Sequence, residues 1–188
     1  MTRFVKIIEK HSTGKKVLWL FLITNSVYAL MLFITIPHVM EFSNGMKLLD
    51  MLPTGYNVEY VQDLLNSLGE QGRWAYLYNQ IPIDMIYPGL FALSYSLLLA
   101  YFLKILNRLH ASYIYLCLLP ILAGLFDYLE NIGISTMLLH YPDYSQNLVK
   151  ASNMFTLVKS VSTSLYFIVL LVVLILLGLR YLRRKERV

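Results

Sequence analysis

SYIYLCLLPILAGLFDYLENIGISTMLL, residues 112–139, is a continuous apolar run that is long enough to cross a bilayer as a helix. The hydrocarbon core is about 30 Å thick and takes about 20 helical residues. The run nevertheless carries two acids, Asp127 and Glu130, close to its middle. Lipid cannot solvate a charge, so we predict a membrane-spanning helix whose polar side chains face other helices.

Three further runs of the same kind are present in the chain. They cover residues 17–37, 81–103 and 154–179. Because the runs are continuous and do not alternate, they exclude a transmembrane β-barrel. The first run exceeds the roughly 7–15 apolar residues of a secretory signal, so we expect an uncleaved anchor. We predict an all-α integral membrane protein, a four-transmembrane-helix bundle that forms a single membrane domain over residues 1–188.

The composition excludes the ordinary soluble classes. The 188 residues are 57% hydrophobic and 14% charged, whereas a soluble domain has about 25% charged residues. The mean hydropathy is +0.57, and a soluble enzyme of this length cannot hide so much apolar surface from water. The same numbers exclude disorder, and the single cysteine, Cys117, excludes a disulfide scaffold.

Positive charges are distributed unevenly between the two ends of the predicted bundle. Twelve Lys and Arg residues flank the runs on the side of the termini, five of them in the tail 180–188. Lys47, Arg73 and Lys150 lie on the opposite side. Segments rich in Lys and Arg stay in the cytoplasm, so we expect both termini and the basic tail there, and no nucleic-acid binding. The aromatic segment 72–78 is typical of an interfacial belt.

The connector 41–80 is the one sizeable segment between the runs. Asn57 is a suitable N-cap, apolar residues follow it at spacings of three, four and seven, and Gly69 can end the helix. This pattern predicts a short amphipathic helix in the first outer loop. Its polar face carries Glu59 and Asp63, which favours a position over the outer mouth of the bundle. A helix packed only for stability and a functional lid both remain open.

Ionisable residues of three runs are predicted to meet. Asp127, Glu130 and Asn131 share one helix face through their i, i+3, i+4 spacing. At about 1.5 Å per residue, Asp127 lies near the midplane of the predicted bilayer. Glu130 lies roughly 7 Å from the midplane toward the outer side, and Asp84 and Lys159 each lie about 12 Å from it on that side. An unpaired charge at the centre costs roughly 2.5–3.5 kcal/mol, so these groups must pair or take up protons. With three acids against one base, we expect Asp127 or Glu130 to hold a proton.

The other runs offer further side chains to the same interior. Asn25 lies near the middle of the first run, Tyr87 is three residues beyond Asp84, and Tyr166 shares the face of Lys159. The predicted ligand-binding residues are therefore Asn25, Asp84, Tyr87, Asp127, Glu130, Asn131, Lys159 and Tyr166.

Motifs for metal, nucleotide or nucleophilic chemistry are missing from the sequence. It contains no CxxC, HExxH, GxSxG, P-loop or dinucleotide fingerprint. We expect no metal site and no cofactor, and we interpret Cys117 as a packing residue. His38 and His140 fall at the outer ends of two runs, where a metal or haem pair is an alternative.

The layout of four spans, a long structured first outer connector and both termini inside resembles that of the EXPERA-type membrane proteins. These include sterol isomerases and sterol-binding relatives. The likeness covers the arrangement of spans and the presence of buried acids, and it assigns no role to any residue.

Three functions remain open. The first is binding of a lipid-like or amphipathic ligand, with Asp127, Glu130 and Lys159 contacting a polar or cationic head. The second is an intramembrane acid/base enzyme, isomerase-like and acting on a membrane lipid, with Glu130 as acid and Asp127 as base. The third is an accessory or structural subunit, partnered by another membrane protein or a second copy, in which a Lys159–Asp84 pair and the other polar groups fix helix register.

Overall fold

The computed structural model describes residues 12–109 and 113–185. Within these two ranges the chain is all-helical and has no strand. The α-helices are α1 (Gly14–Leu30), α2 (Ile36–Met40), α3 (Val58–Ala75), α4 (Ile81–Asp84), α5 (Tyr87–Ile105), α6 (Leu119–Leu139) and α7 (Gln146–Lys185). π-Helical turns lie at Met31–Thr35 and Tyr76–Gln80, and 3₁₀ turns lie at Leu49–Met51 and Ile114–Leu118.

The helices combine into four segments that are long and apolar enough to cross a membrane. We call them spans 1 to 4: Gly14–Met40, Val58–Ile105, Ile114–Leu139 and Gln146–Arg183. The prediction of an all-helical chain with four such helices is confirmed. Each helical segment except the third extends beyond its predicted run at both ends, because backbone hydrogen bonding continues where the apolar residues stop.

Span 2 joins the predicted connector helix to the apolar run 81–103 in one bent helical segment. The side chain of Asn57 accepts a hydrogen bond from the Tyr60 amide at 2.8 Å, which confirms the predicted N-cap. Gly69 interrupts the helix with φ 60° and ψ −171°, a backbone conformation that residues other than glycine rarely adopt. The apolar residues before this bend are buried: Val61, Leu64, Leu65 and Leu68.

Two π-helical turns bring spans 1 and 2 together near the connector. Each is followed by a proline, Pro37 in span 1 and Pro82 in span 2, whose ring removes a backbone donor and widens the preceding turn. The Thr35 hydroxyl in one turn donates a hydrogen bond to the Gln80 side-chain carbonyl in the other. The bends are therefore fixed by a direct polar contact.

The spans pack in chain order, span 1 on span 2, span 2 on span 3 and span 3 on span 4. Glycines permit the closest approaches. A Cβ added at Gly124 would lie 2.6 Å from the Pro88 carbonyl oxygen, and one added at Gly133 would lie 2.7 Å from the Ser152 hydroxyl. Span 3 is thus held tightly against both of its neighbours.

The interior contains two hydrophobic clusters separated by polar residues. The cluster at the connector end includes Leu64 and Ile134. The cluster nearer the termini includes Phe91 and Tyr166. Spans 2, 3 and 4 each contribute residues to both clusters, and along these spans Asp84, Asp127, Glu130 and Lys159 lie between the residues of one cluster and those of the other.

The contact between spans 2 and 3 yields a stability prediction. Gly124→Ala should lower the free energy of unfolding by about 1–3 kcal/mol, because a backbone carbonyl cannot move aside as a flexible side chain can. Gly178→Ala is the matched control, since a Cβ there meets nothing within 4 Å. Thermal unfolding in detergent measures both variants. Equal melting temperatures for the two would contradict the close packing.

Candidate functional site

Lys159 of span 4 lies between two carboxylates of span 3. Its Nζ donates to Asp127 Oδ1 at 3.1 Å and forms a second ion pair with Glu130 Oε2. Both acids reach the same ammonium because they are three residues apart on one helix face. With both acids ionised, this Lys159 triad carries one excess negative charge.

Glu130 is held by contacts on both of its oxygens. Thr156 Oγ1 donates to Glu130 Oε1 at 2.7 Å, and Thr156 lies one helical turn before Lys159. Ser152, a turn farther back, exchanges a 2.7 Å hydrogen bond with the Tyr56 hydroxyl from the connector. Burial raises the pKa of Tyr56 to about 12, so this phenol stays neutral and remains a hydrogen-bonding partner at physiological pH. The connector therefore braces the helix that carries Lys159.

Asp84 is placed differently from the other two acids. Its residue is 3% exposed, yet its carboxylate makes no hydrogen bond or ion pair with any residue of the described ranges. Asn131 Nδ2 donates instead to the Asp84 backbone carbonyl at 3.1 Å. Lys159 therefore does not form the pair with Asp84 that the structural alternative considered. Span 4 packs most closely on span 3, and the carboxylates of span 3 engage the ammonium.

A cavity of about 660 Å³ opens beside the Lys159 triad and is bordered by all four spans. Five of the predicted site residues line it: Asn25, Asp84, Tyr87, Asp127 and Lys159. Glu130, Asn131 and Tyr166 do not. Glu130 and Asn131 are fully buried behind the wall, and the Tyr166 hydroxyl donates to the Tyr95 carbonyl at 2.9 Å inside the hydrophobic cluster.

The wall nearer the termini is aromatic. The cavity-lining rings are Tyr28, Tyr87, Phe91, Tyr95 and Phe167. Phe91 and Tyr95 lie 4.6 Å apart between ring centroids, and Tyr28 and Tyr87 lie 5.5 Å apart. The Tyr95 hydroxyl donates to Asn25 Oδ1 at 3.1 Å, which fixes the amide at this end. The cavity thus has an acidic end and an aromatic end.

Asp50 is a cavity residue that the sequence analysis missed. It lies in the 3₁₀ turn of the connector, where Tyr76 donates to its Oδ1 at 2.5 Å and Gln80 Nε2 lies 3.5 Å from its Oδ2. Tyr28 and Phe167 of the aromatic wall were missed as well, whereas Tyr87, Phe91 and Tyr95 follow the face of Asp84 in the sequence. Asp50 lies in a segment without helical periodicity, so no sequence signal relates it to the residues of the spans.

The histidines at the helix ends make local contacts. His38 Nδ1 lies 3.7 Å from Glu41, and His140 Nδ1 lies 2.9 Å from the Thr136 carbonyl. Among the residues whose structure is described, no three His, Cys, Asp or Glu side chains are grouped so as to hold a metal ion.

Comparison with models of protein families, with curated proteins and with solved structures finds no match to this chain. The resemblance to EXPERA-type proteins therefore stays a prediction from the sequence, and function is inferred from the residues of the site.

The Lys159 triad yields a second stability prediction. Lys159→Met leaves two buried carboxylates without a counter-ion and should cost roughly 3–5 kcal/mol of unfolding free energy. Adding Asp127→Asn and Glu130→Gln to the same chain should recover most of that loss, because neither position 127 nor position 130 then carries a charge that lacks its counter-ion. Detergent unfolding curves of the single and triple variants measure both effects. A Lys159→Met protein as stable as the parent would disprove the pairing.

Proposed function

We propose that this protein is an integral membrane protein that binds a lipid-like or amphipathic ligand in the cavity between its spans. The observation that carries the proposal is the two-ended lining of the 660 Å³ cavity, acidic at one end and aromatic at the other. Ligand sites commonly enclose about 300–1,000 Å³ and combine apolar walls with a few polar groups. The polar head lies at the carboxylate/lysine cluster, and the apolar part lies against the rings.

The position of the cavity supports a ligand that comes from the bilayer. Its rim includes Tyr28, Leu32 and Phe167, which are 44%, 39% and 44% exposed, on spans 1 and 4. These two spans pack mainly on spans 2 and 3, so they border the cavity as two separate walls. A membrane lipid can enter between them without leaving the hydrocarbon phase.

The two other functions have less support. Glu130, the expected general acid, does not line the cavity, and both of its oxygens are engaged by Lys159 and Thr156. An accessory role would need a partner helix to complete the polar cluster. Asp84, which has no partner among the described residues, lines the cavity and is only 3% exposed, so a helix packed on the outer surface cannot reach it.

The proposed topology places both termini in the cytoplasm and the connector outside. Basic residues collect at one end of the bundle, where Arg180 donates to the Ile105 carbonyl at 2.6 Å. The helical segment 58–68 then lies over the outer end as an amphipathic helix, with its buried leucines facing the bundle and its acids facing water.

Cysteine labelling in intact cells tests this topology. In a Cys117→Ser background, a membrane-impermeant maleimide should label Lys150→Cys directly and Arg183→Cys only after permeabilisation. Each serves as the control for the other. The reverse labelling pattern would show the opposite orientation.

Native mass spectrometry of the protein released from mild detergent tests ligand binding. The parent protein should retain a small-molecule adduct that lipid extraction and fragmentation identify. Ser164→Trp should remove the adduct because Ser164 lines the cavity, whereas Leu165→Trp, at the neighbouring position that does not line it, should keep it. A clean protein mass in the parent, or equal retention in both variants, would contradict the proposal.

A further inference from the structure

We propose that the ligand is a cationic amphiphile, with a protonated amine as its head group and Asp84 as the counter-ion. This inference rests on the proposed binding function and names its ligand class. The inference is based on Asp84, whose carboxylate is buried, lines the cavity and has no partner among the described residues.

The missing partner is the first argument. Buried polar groups in native proteins are almost always hydrogen-bonded, and a buried charge is normally paired. Asp127 and Glu130 share Lys159, and Asp50 accepts from Tyr76. Asp84 has none of these within the described parts of the chain, although it is 3% exposed. A ligand cation supplies the missing interaction.

The charges around Asp84 are the second argument. The charged groups that act on it are Asp50, Asp127, Glu130 and Lys159. Lys159 is already engaged by two carboxylates, so the acidic end of the cavity keeps an excess of negative charge. Like charges at close range repel, which disfavours an anionic head group. A cation is attracted by the same field.

The neighbouring rings are the third argument. Tyr87 lies three residues beyond Asp84, its ring packs at a tilt against that of Tyr28 with 5.5 Å between the centroids, and both rings line the cavity. Aromatic faces attract ammonium groups, and the attraction grows where water is excluded. Hard metal ions need several oxygen ligands together, a grouping that the described residues do not provide. The surroundings therefore favour an organic cation.

The backbone around Asp84 is built to hold this carboxylate in place. Asp84 ends α4, and the helix resumes only at Tyr87. At the break, the fully buried Asn131 donates to the Asp84 carbonyl at 3.1 Å. Asn131 is thus a positioning residue: it fixes the backbone of the anchor and does not itself line the cavity.

Matched single-chain probes test the ligand class. Dodecylamine, dodecanol and dodecanoate share one alkyl chain and differ in head-group charge. Equilibrium dialysis of each labelled probe against the protein in lipid nanodiscs should show that the amine binds at least tenfold more tightly than the alcohol and that the carboxylate binds weakest. This comparison uses the unaltered protein and does not depend on any variant folding.

Asp84→Asn identifies the anchor. The variant should lose tenfold or more of the amine affinity and keep the affinity for dodecanol. Asp63→Asn, which changes an exposed acid on the connector helix, is the matched control and should bind all three probes like the parent. Without probe, Asp84→Asn should melt at the same or a higher temperature, because a buried charge without a partner is removed.

The outcomes separate this inference from the proposed function. Tighter binding of the alcohol or the carboxylate, or an amine affinity that Asp84→Asn leaves unchanged, overturns the cationic ligand class. If the Ser164→Trp variant no longer binds the probe that the parent protein prefers, the proposed binding function stands and only the ligand class is wrong. If no probe binds the parent protein above empty nanodiscs, both proposals fail.

Discussion

The ion pairs of Lys159 with Asp127 and Glu130 determine the character of the whole interior. They connect the two most closely packed spans and place a shared ammonium against two buried carboxylates that would otherwise lack a counter-ion. They also engage the ammonium fully. The other acids that face the cavity have no share in this ammonium: Asp50 accepts a hydrogen bond from Tyr76, and Asp84 has no partner among the described residues.

The helices and the meeting of the charged groups are predictable from the sequence. The i, i+3 spacing of Asp127 and Glu130 and the depth of Lys159 were sufficient for that. The sequence alone could not determine which carboxylate Lys159 selects, because the choice depends on the close contact between Gly133 and the fourth span, a tertiary feature. Helical periodicity in the sequence also does not predict which residues are buried where the chain bends. Tyr76, expected in an interfacial belt, is fully buried and holds Asp50.

The two kinds of acid in this bundle differ in what they contribute. The paired acids stabilise helix packing, and their contacts come from neighbouring spans and the connector. Asp84 contributes nothing comparable to the folded state, and its placement is explained by a ligand that the aromatic wall and excess negative charge both favour. A single buried layer thus combines a structural ion cluster with a separate binding group, and the cavity lies between them.

A density map of the protein isolated together with its native membrane lipids tests this account most directly. We expect an elongated ligand in the cavity, with its polar end within hydrogen-bonding distance of the Asp84 carboxylate and its apolar part along Tyr87 and Phe91. Lys159 should remain on Asp127 and Glu130. A cavity filled by side chains, or a Lys159 ammonium paired with Asp84, would contradict the central claim.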